Sequence, residues 1–181
     1  MKITDMTDTL FDQQMQRLLG DVQFWCVRLS QIGEYSLRPM PVSYIDGTGK
    51  QPFPLALELK RVWDYARGSG PRPDEIREII QDLCELLWSH TGGSSYDIPA
   101  EFWDQPLGFM CRLAWARETL DAGGELNAEQ LSMLAGISAA RVKQLCRSGD
   151  ITATKAEQAR NRQQEWAIPA DVARAWLESR K

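Results

Sequence analysis

Apolar side chains in the N-terminal part of the chain recur at the spacing of an α-helix. From Phe11 the steps alternate between four and three residues. The pattern predicts one long helix, capped by Thr7 or Asp8 and ended by Gly33. A seam this regular either pairs with a second copy of the chain or packs inside its own domain, and the pattern alone leaves both open. Its members are Phe11, Met15, Leu18, Val22, Trp25, Leu29 and Ile32.

Two further helices are predicted before residue 90. The first runs from Leu55 to Ala66 and stops at a Gly-Ser-Gly sequence that begins at Gly68. The second opens at Pro73 and Asp74 and ends near Trp88. Residues 36–54 hold four prolines and an Asp-Gly turn signal, which predicts a loop with or without a short hairpin through Val42 and Tyr44. The apolar face of the second helix consists of Ile76, Ile79, Ile80, Leu83 and Leu87.

Residues 91–95, Thr-Gly-Gly-Ser-Ser, form the best linker candidate in the chain. We therefore expect an acidic helical domain over residues 1–95 and a second unit over residues 97–181. In the second unit, Asp104 can cap and Pro106 can begin a helix that continues through Leu120 and ends at a Gly-Gly pair. No internal repeat or low-complexity tract is visible.

The pattern after residue 126 predicts two short helices joined by a tight turn. Asn127 and Gln130 have the spacing of a capping box, Gly136 ends the first helix and Ser138 caps the second, which extends to about Arg147. Glycine allows the sharp turn of a helix-turn-helix. Three side chains of the second helix are predicted to face inward, with the first of them packing back beside Leu131 next to the small Ser132. These three are Val142, Leu145 and Cys146.

A β-hairpin is predicted next, followed by a closing helix. Residues 151–155 and 166–169 have β-prone character, and the sequence between them is polar and basic. Residues 170–179 then read as a helix. Its predicted buried side chains are Val172, Trp176 and Leu177.

Charge is distributed unevenly along the chain. The formal net charge is -4, yet residues 127–181 carry nine Lys and Arg against six Asp and Glu, while residues 1–126 carry twelve against nineteen. Phosphate binding depends on the local field, so the acidic total does not exclude a nucleic-acid partner. The densest basic stretch contains Arg141, Lys143, Arg147, Lys155, Arg160 and Arg162 against Asp150 and Glu157.

The residues that support catalysis or metal binding are sparse. The four cysteines, Cys26, Cys84, Cys111 and Cys146, form no CxxC pair and lie among apolar residues, which predicts small buried side chains. A catalytic triad or a histidine-based metal site would depend on His90 alone. We therefore expect no enzyme, no metal and no cofactor. No stretch has the apolar length of a membrane span and the N-terminus does not resemble a signal peptide, so a cytoplasmic protein is expected.

The sequence LSMLAGISAARVKQLCRSGDITA…WAIPADVARAWLESR resembles the winged helix-turn-helix of the MerR and phage-excisionase group. The matching features are the two helices, the SGDI step, the W-x-I-P return strand and the A-W-L closing helix, over about residues 125–180. The resemblance implies a C-terminal winged helix-turn-helix with a small β-hairpin wing, and no family is recognised in residues 1–95. With the helices that the apolar pattern predicts there, the expected fold is mainly α, an N-terminal helical domain followed by this winged helix-turn-helix. Two features depart from the group: the wing is longer than usual, and Ala167 stands where a basic residue is common.

The resemblance implies that the second helix, residues 139–147, enters the major groove of duplex DNA. The wing, residues 151–168, would lie against the flanking groove or its phosphates. Arginine can fork onto guanine and glutamine can pair with adenine, while alanines allow close approach. The implied DNA-binding residues are Ser138, Ala139, Ala140, Arg141, Lys143, Gln144, Arg147, Lys155, Arg160 and Arg162.

The leading hypothesis is a sequence-specific DNA-binding regulator, expected as a homodimer, with residues 1–95 supplying the dimer contact or a surface for a protein partner. Two alternatives stay open: a protein-interaction adaptor built on a winged-helix scaffold, and a recombination or maintenance accessory factor of a phage or plasmid. A nuclease or hydrolase that uses the N-terminal carboxylates is disfavoured, because their spacing is that of a solvated helix face. These carboxylates are Glu75, Glu78, Asp82 and Glu85.

Overall fold

The computed structural model describes residues 1–32 (side chains to residue 24), 54–88, 97–155 and 166–180. These residues form a mainly helical structure with one small antiparallel sheet. Short 3-10 helices at Ile3–Asp5 and Ala100–Asp104 precede α1 and α4. The elements are α1 (Asp8–Ile32), α2 (Pro54–Arg67), α3 (Ile76–Trp88), α4 (Pro106–Asp121), α5 (Ala128–Ala135), α6 (Ala139–Ser148), β1 (Thr154–Lys155), β2 (Trp166–Ala167) and α7 (Ala170–Glu178).

Helix α1 begins where its capping signal predicts and buries the first half of its apolar seam. The Thr7 hydroxyl accepts a hydrogen bond from the Leu10 amide over 3.1 Å, so Thr7 is the cap. Phe11 is 0% exposed and its ring lies 5.3 Å from that of Trp63 on α2, while Leu18 is 3% exposed. This half of the seam therefore belongs to the protein's own core and is not free to pair with a second copy.

Helices α2 and α3 confirm the pattern predicted for residues 54–88. Helix α2 ends at Gly68, whose φ of +78° is the left-handed conformation that favours glycine. Helix α3 buries Ile76, Ile79, Ile80 and Leu83, the face that its apolar spacing selects. Helix α2 likewise buries one face, which includes Leu59, Val62 and Trp63. In both helices the apolar face packs into the core.

Helix α4 contributes to both hydrophobic cores of the chain. Its apolar residues between Leu107 and Ala114 lie in the first core with α1, α2 and α3, and Leu120 lies in the second. The division between the two cores thus falls inside α4, although the sequence suggested a unit that begins at residue 97. Residues 97–181 alone would expose the α4 face that completes the first core, so experiments on this protein call for the whole chain.

The predicted cap of α4 is wrong in its position. Asp104 ends a 3-10 helix, and Gln105 stands at the N-cap without a side-chain capping bond. Gly108 explains the close approach of these two elements, because a Cβ at this position would lie 2.0 Å from the carbonyl oxygen of Phe102. Asp104 instead pairs with Arg112 over 3.5 Å.

The second core joins α5, α6 and α7 to the small sheet. Leu126, just before α5, exchanges two backbone hydrogen bonds of 2.8 Å with Ile168, just after β2. Helix α7 buries Ala170 and Ala173. The side chains predicted to be its buried set are only half-buried, because α7 lies at the edge of this core with one face open to solvent. They are Val172, Trp176 and Leu177.

Several sequence predictions fall outside the described residues. These are the hairpin and all but the last residue of the loop predicted for residues 36–54, the linker and His90 within residues 89–96, and the hairpin tip at residues 156–165. The side chains of residues 25–32 also lie outside them, among them Cys26 and the end of the apolar seam, Trp25, Leu29 and Ile32. Cys84, Cys111 and Cys146 are buried and form no disulfide, as their apolar neighbours predicted. Among the helices described here, none combines the length and apolarity that crossing a membrane requires.

Candidate nucleic-acid interface

Reciprocal side-chain caps and a left-handed glycine fix the α5–turn–α6 segment. The backbone N–H of Gln130 donates to Asn127 Oδ1 over 2.9 Å, and the backbone N–H of Asn127 donates to Gln130 Oε1 over the same distance. Gly136 follows α5 with a φ of +65°, and its neighbour Ile137 donates from its backbone to the Ser132 carbonyl over 3.1 Å. These bonds satisfy helix-end groups that would otherwise lack partners, so the turn has a defined geometry.

The inner face of α6 holds this helix against α5. Ser138 caps α6 by accepting a hydrogen bond from the Arg141 amide over 3.3 Å. Val142 and Leu131 are both 0% exposed and belong to the same core, with Cys146 one turn later at 7%. The predicted contact between the two helices is therefore confirmed, and the orientation of α6 is fixed by its apolar side.

The outer face of α6 presents basic and amide side chains to solvent. Arg141, Gln144 and Arg147 are exposed at intervals of three residues, about one helical turn each. The guanidinium of Arg141 donates to Gln144 Oε1 over 2.8 Å. The remaining predicted contacts on this element differ in exposure: Ser138 and Ala140 are exposed, whereas Ala139 and Lys143 are half-buried.

The base of the predicted hairpin is present beside α6. Strands β1 and β2 pair antiparallel, with Thr154 opposite Ala167 and Lys155 opposite Trp166. Ile151 is 1% exposed and anchors the chain that leaves α6, while Lys155 points its charge to solvent. The tip of the hairpin lies outside the described residues, and with it Arg160 and Arg162.

Sequence reasoning missed a cleft of about 720 Å³ next to the start of α6. Its walls come from the N-terminal segment, α4, α5 and the turn between α5 and α6. Among the described residues of its lining, three are cationic, Lys2, Arg112 and Arg141, and one is a carboxylate, Glu129. Lys2 and Arg112 are far from Arg141 in sequence, so only the packing of the first core against α5 brings them together. We call this feature the N-terminal cleft.

The described part of the chain also includes the carboxylates and one of the cysteines considered for catalysis or metal binding. No group of three or more His, Cys, Asp or Glu there could hold a metal ion. Glu75, Glu78, Asp82 and Glu85 are all exposed on the outer side of α3 and its approach, as a solvated face would be. Burial raises the pKa of the Cys146 thiol, which keeps it protonated and poorly nucleophilic.

Comparison of the chain with protein-family models, with curated proteins and with solved structures finds no significant match.

Proposed function

We propose that this chain is a sequence-specific double-stranded DNA-binding protein that acts as a transcriptional regulator in the cytoplasm. In this proposal α6 reads base edges in the major groove, and residues 151–168 form a wing that contacts the flanking groove or its phosphates. The observation that most directly supports this proposal is the outer face of α6, where Arg141, Gln144 and Arg147 are exposed one turn apart. Val142 and Cys146 are buried on the opposite side of the helix.

The side chains on this face can form hydrogen bonds with the base edges of duplex DNA. Arginine offers a fork of N–H donors to guanine O6 and N7, and glutamine offers a donor and an acceptor to adenine. The small Ala140 lies on the same exposed side and allows the helix to approach the bases closely. Phosphate contacts would come from Lys155 and from the arginines of the hairpin tip, which supply affinity without reading sequence.

A homodimer remains part of the proposal. One winged helix covers only a short site, and a second copy would double it through paired half-sites. The half of α1 that carries Phe11 and Leu18 is excluded as the interface, because the protein's own core covers it. Sedimentation of the whole chain at micromolar concentration tests the dimer without any assumption about which face is used.

Selection of bound sequences from random duplexes, followed by affinity measurements over a range of salt, tests the central claim. The full chain should prefer the selected duplex, and its affinity should fall steeply as salt rises. The double variant R141A/R147A should lose most of this preference. Its matched control, R17A/R61A, removes the same charge from exposed positions on α1 and α2 and should bind like the parent.

Two results would contradict the proposal. If the parent shows no salt-sensitive binding to any duplex, the function is not DNA binding, and a protein-docking role for α6 becomes the better hypothesis. If R17A/R61A and R141A/R147A lose affinity equally, the loss reflects net charge and α6 is not the reading element.

A further inference from the structure

The N-terminal cleft places a lysine from the acidic part of the chain beside the helix proposed to read DNA. Lys2 and Arg141 line the same cleft, together with Gly136 and Ser138 of the α5–α6 turn. Residues 1–126 carry an excess of acid, so their charge balance alone predicts repulsion of DNA. The basic residues that line the cleft lead to the opposite expectation for this part of the surface.

The backbone at Lys2 is held in place by the first core. Met6 is 3% exposed, and its carbonyl oxygen accepts a hydrogen bond from Arg67 Nη1 over 3.1 Å. The Lys2 amide donates to Asp5 Oδ2 over 2.7 Å, which closes the turn between them. The Lys2 side chain is exposed, so a fixed backbone presents a solvated ammonium group at the cleft rim.

The opposite wall of the cleft carries an ion-paired arginine. Arg112 on α4 pairs with Glu129 on α5 over 2.9 Å and with Asp104 over 3.5 Å. Glu129 is the one carboxylate among the described residues that line the cleft, and it accepts a hydrogen bond from Arg112. Among the described residues that line the cleft, Lys2 and Arg141 are cations beyond the Arg112–Glu129 pair, so the lining carries more positive than negative charge. A lining of this kind attracts polyanions.

We infer that the N-terminal cleft receives the phosphate backbone of the DNA strand that flanks the groove read by α6, and that Lys2 contacts a phosphate there. The inference rests on the proposed function and deepens it. In helix-turn-helix proteins the first helix crosses the backbone while the second enters the groove. The cleft runs along α5 toward the start of α6, which is where such a backbone passes. The N-terminal segment is thus a DNA contact of its own and not only a dimer or partner surface.

Salt-dependent binding of the full chain to a selected and to a scrambled duplex tests this inference. K2Q removes one exposed charge without touching the core. It should weaken both duplexes to a similar extent and reduce the slope of log affinity against log salt by about 0.9, the change for one lost phosphate contact. E129Q should strengthen binding to both duplexes, because it removes the carboxylate and keeps an oxygen that accepts from Arg112. R61Q, on the exposed side of α2, serves as the charge-matched control.

The outcomes separate this inference from the function on which it rests. If K2Q binds with the same affinity and salt slope as R61Q, Lys2 does not contact a phosphate. The proposed function still stands in that case, provided that the parent protein binds the duplex. Weaker binding by E129Q also overturns the phosphate contact, because an acid at a phosphate site must repel. If the parent binds no duplex, both proposals fail together. Circular dichroism of each variant confirms that affinity is compared between folded proteins.

Discussion

Arg141 and Gln144 are joined across one turn of α6, where Arg141 Nη1 donates to Gln144 Oε1 over 2.8 Å. Both side chains are exposed, so the bond is worth little as a contribution to folding. In the structure the bond orients the Arg141 guanidinium along the outer face of the helix. A group oriented before binding loses less conformational entropy when it meets a base.

The first prediction concerns base recognition by this pair. R141A should cost roughly 1–3 kcal/mol at one base pair of the selected site and relax preference there, because a bidentate contact with guanine is lost. Competition between duplexes that differ by single base pairs measures the effect. An R141A protein that loses affinity equally for every duplex would reduce Arg141 to a phosphate contact.

The second prediction separates the hairpin from α6. Arg162 lies at the hairpin tip in the sequence, and the proposal gives it a phosphate or minor-groove contact. R162A should weaken binding evenly across sequences and flatten the salt slope by about one unit. Salt titrations with the selected and the scrambled duplex measure this, with R61A as the charge-matched control. A change in base preference without a change in slope would assign Arg162 to base reading instead.

Local signals predicted much of the α5–α6 segment correctly. A capping box needs only the side chains of Asn127 and Gln130, and a left-handed helix end needs only Gly136, so short sequence windows contain the necessary information. Helix α4 begins at Pro106 as predicted, but its N-cap is shifted by one residue to Gln105, because Asp104 ends a 3-10 helix that packs closely against Gly108. Such a shift depends on tertiary packing that the local sequence does not encode.

Contacts between distant segments could not be predicted in the same way. The seam on α1 indicates that one face is apolar, but periodicity does not identify what covers that face. The structure covers Phe11 with Trp63 of α2. The N-terminal cleft was missed for a related reason: Lys2 and Arg141 line one cleft through the packing of distant segments, and nothing in either sequence neighbourhood points to the other.

The third prediction tests the turn between α5 and α6. G136A should lower the free energy of unfolding by about 1–2 kcal/mol, because a side chain disfavours the left-handed conformation at φ +65° even where space is open. G20A is the matched control in the interior of α1, where the same change should raise stability by about 0.5–1 kcal/mol. Urea denaturation measures both. Equal stability of G136A and the parent would mean that the turn does not require glycine.

The fourth prediction follows from the buried half of the α1 seam. L18A should lower the free energy of unfolding by about 2–5 kcal/mol, since Leu18 is 3% exposed in the first core. Q16A, at an exposed position of α1, should change it by no more than about 0.5 kcal/mol. The double variant L18E/V22E should unfold. Its recovery as a folded monomer from a dimeric parent would instead restore this part of the seam as a subunit interface.

The last prediction concerns alkaline pH and the contact between α2 and α4. The Tyr65 hydroxyl donates to Asp121 Oδ2 over 2.7 Å. Burial, and then the hydrogen bond and charge of Asp121, raise the pKa of Tyr65 well above its ordinary value of 10.0. The folded protein therefore holds this proton more tightly than the unfolded chain does. Stability from this source is complete below pH 10 and is lost as pH rises from there toward the folded pKa.

Y65F removes both the hydrogen bond and the titration. At neutral pH it should be less stable than the parent by about 1.5–3 kcal/mol, because Asp121 loses a donor to its charged carboxylate. From pH 10 to about pH 11 the parent should lose stability faster, so the two curves converge. Cys84 and Cys111, whose pKa values burial also raises, titrate in both proteins and cancel in the difference. Urea denaturation across this range measures the difference, and parallel curves would mean that Tyr65 ionises in the folded protein as easily as in the unfolded chain.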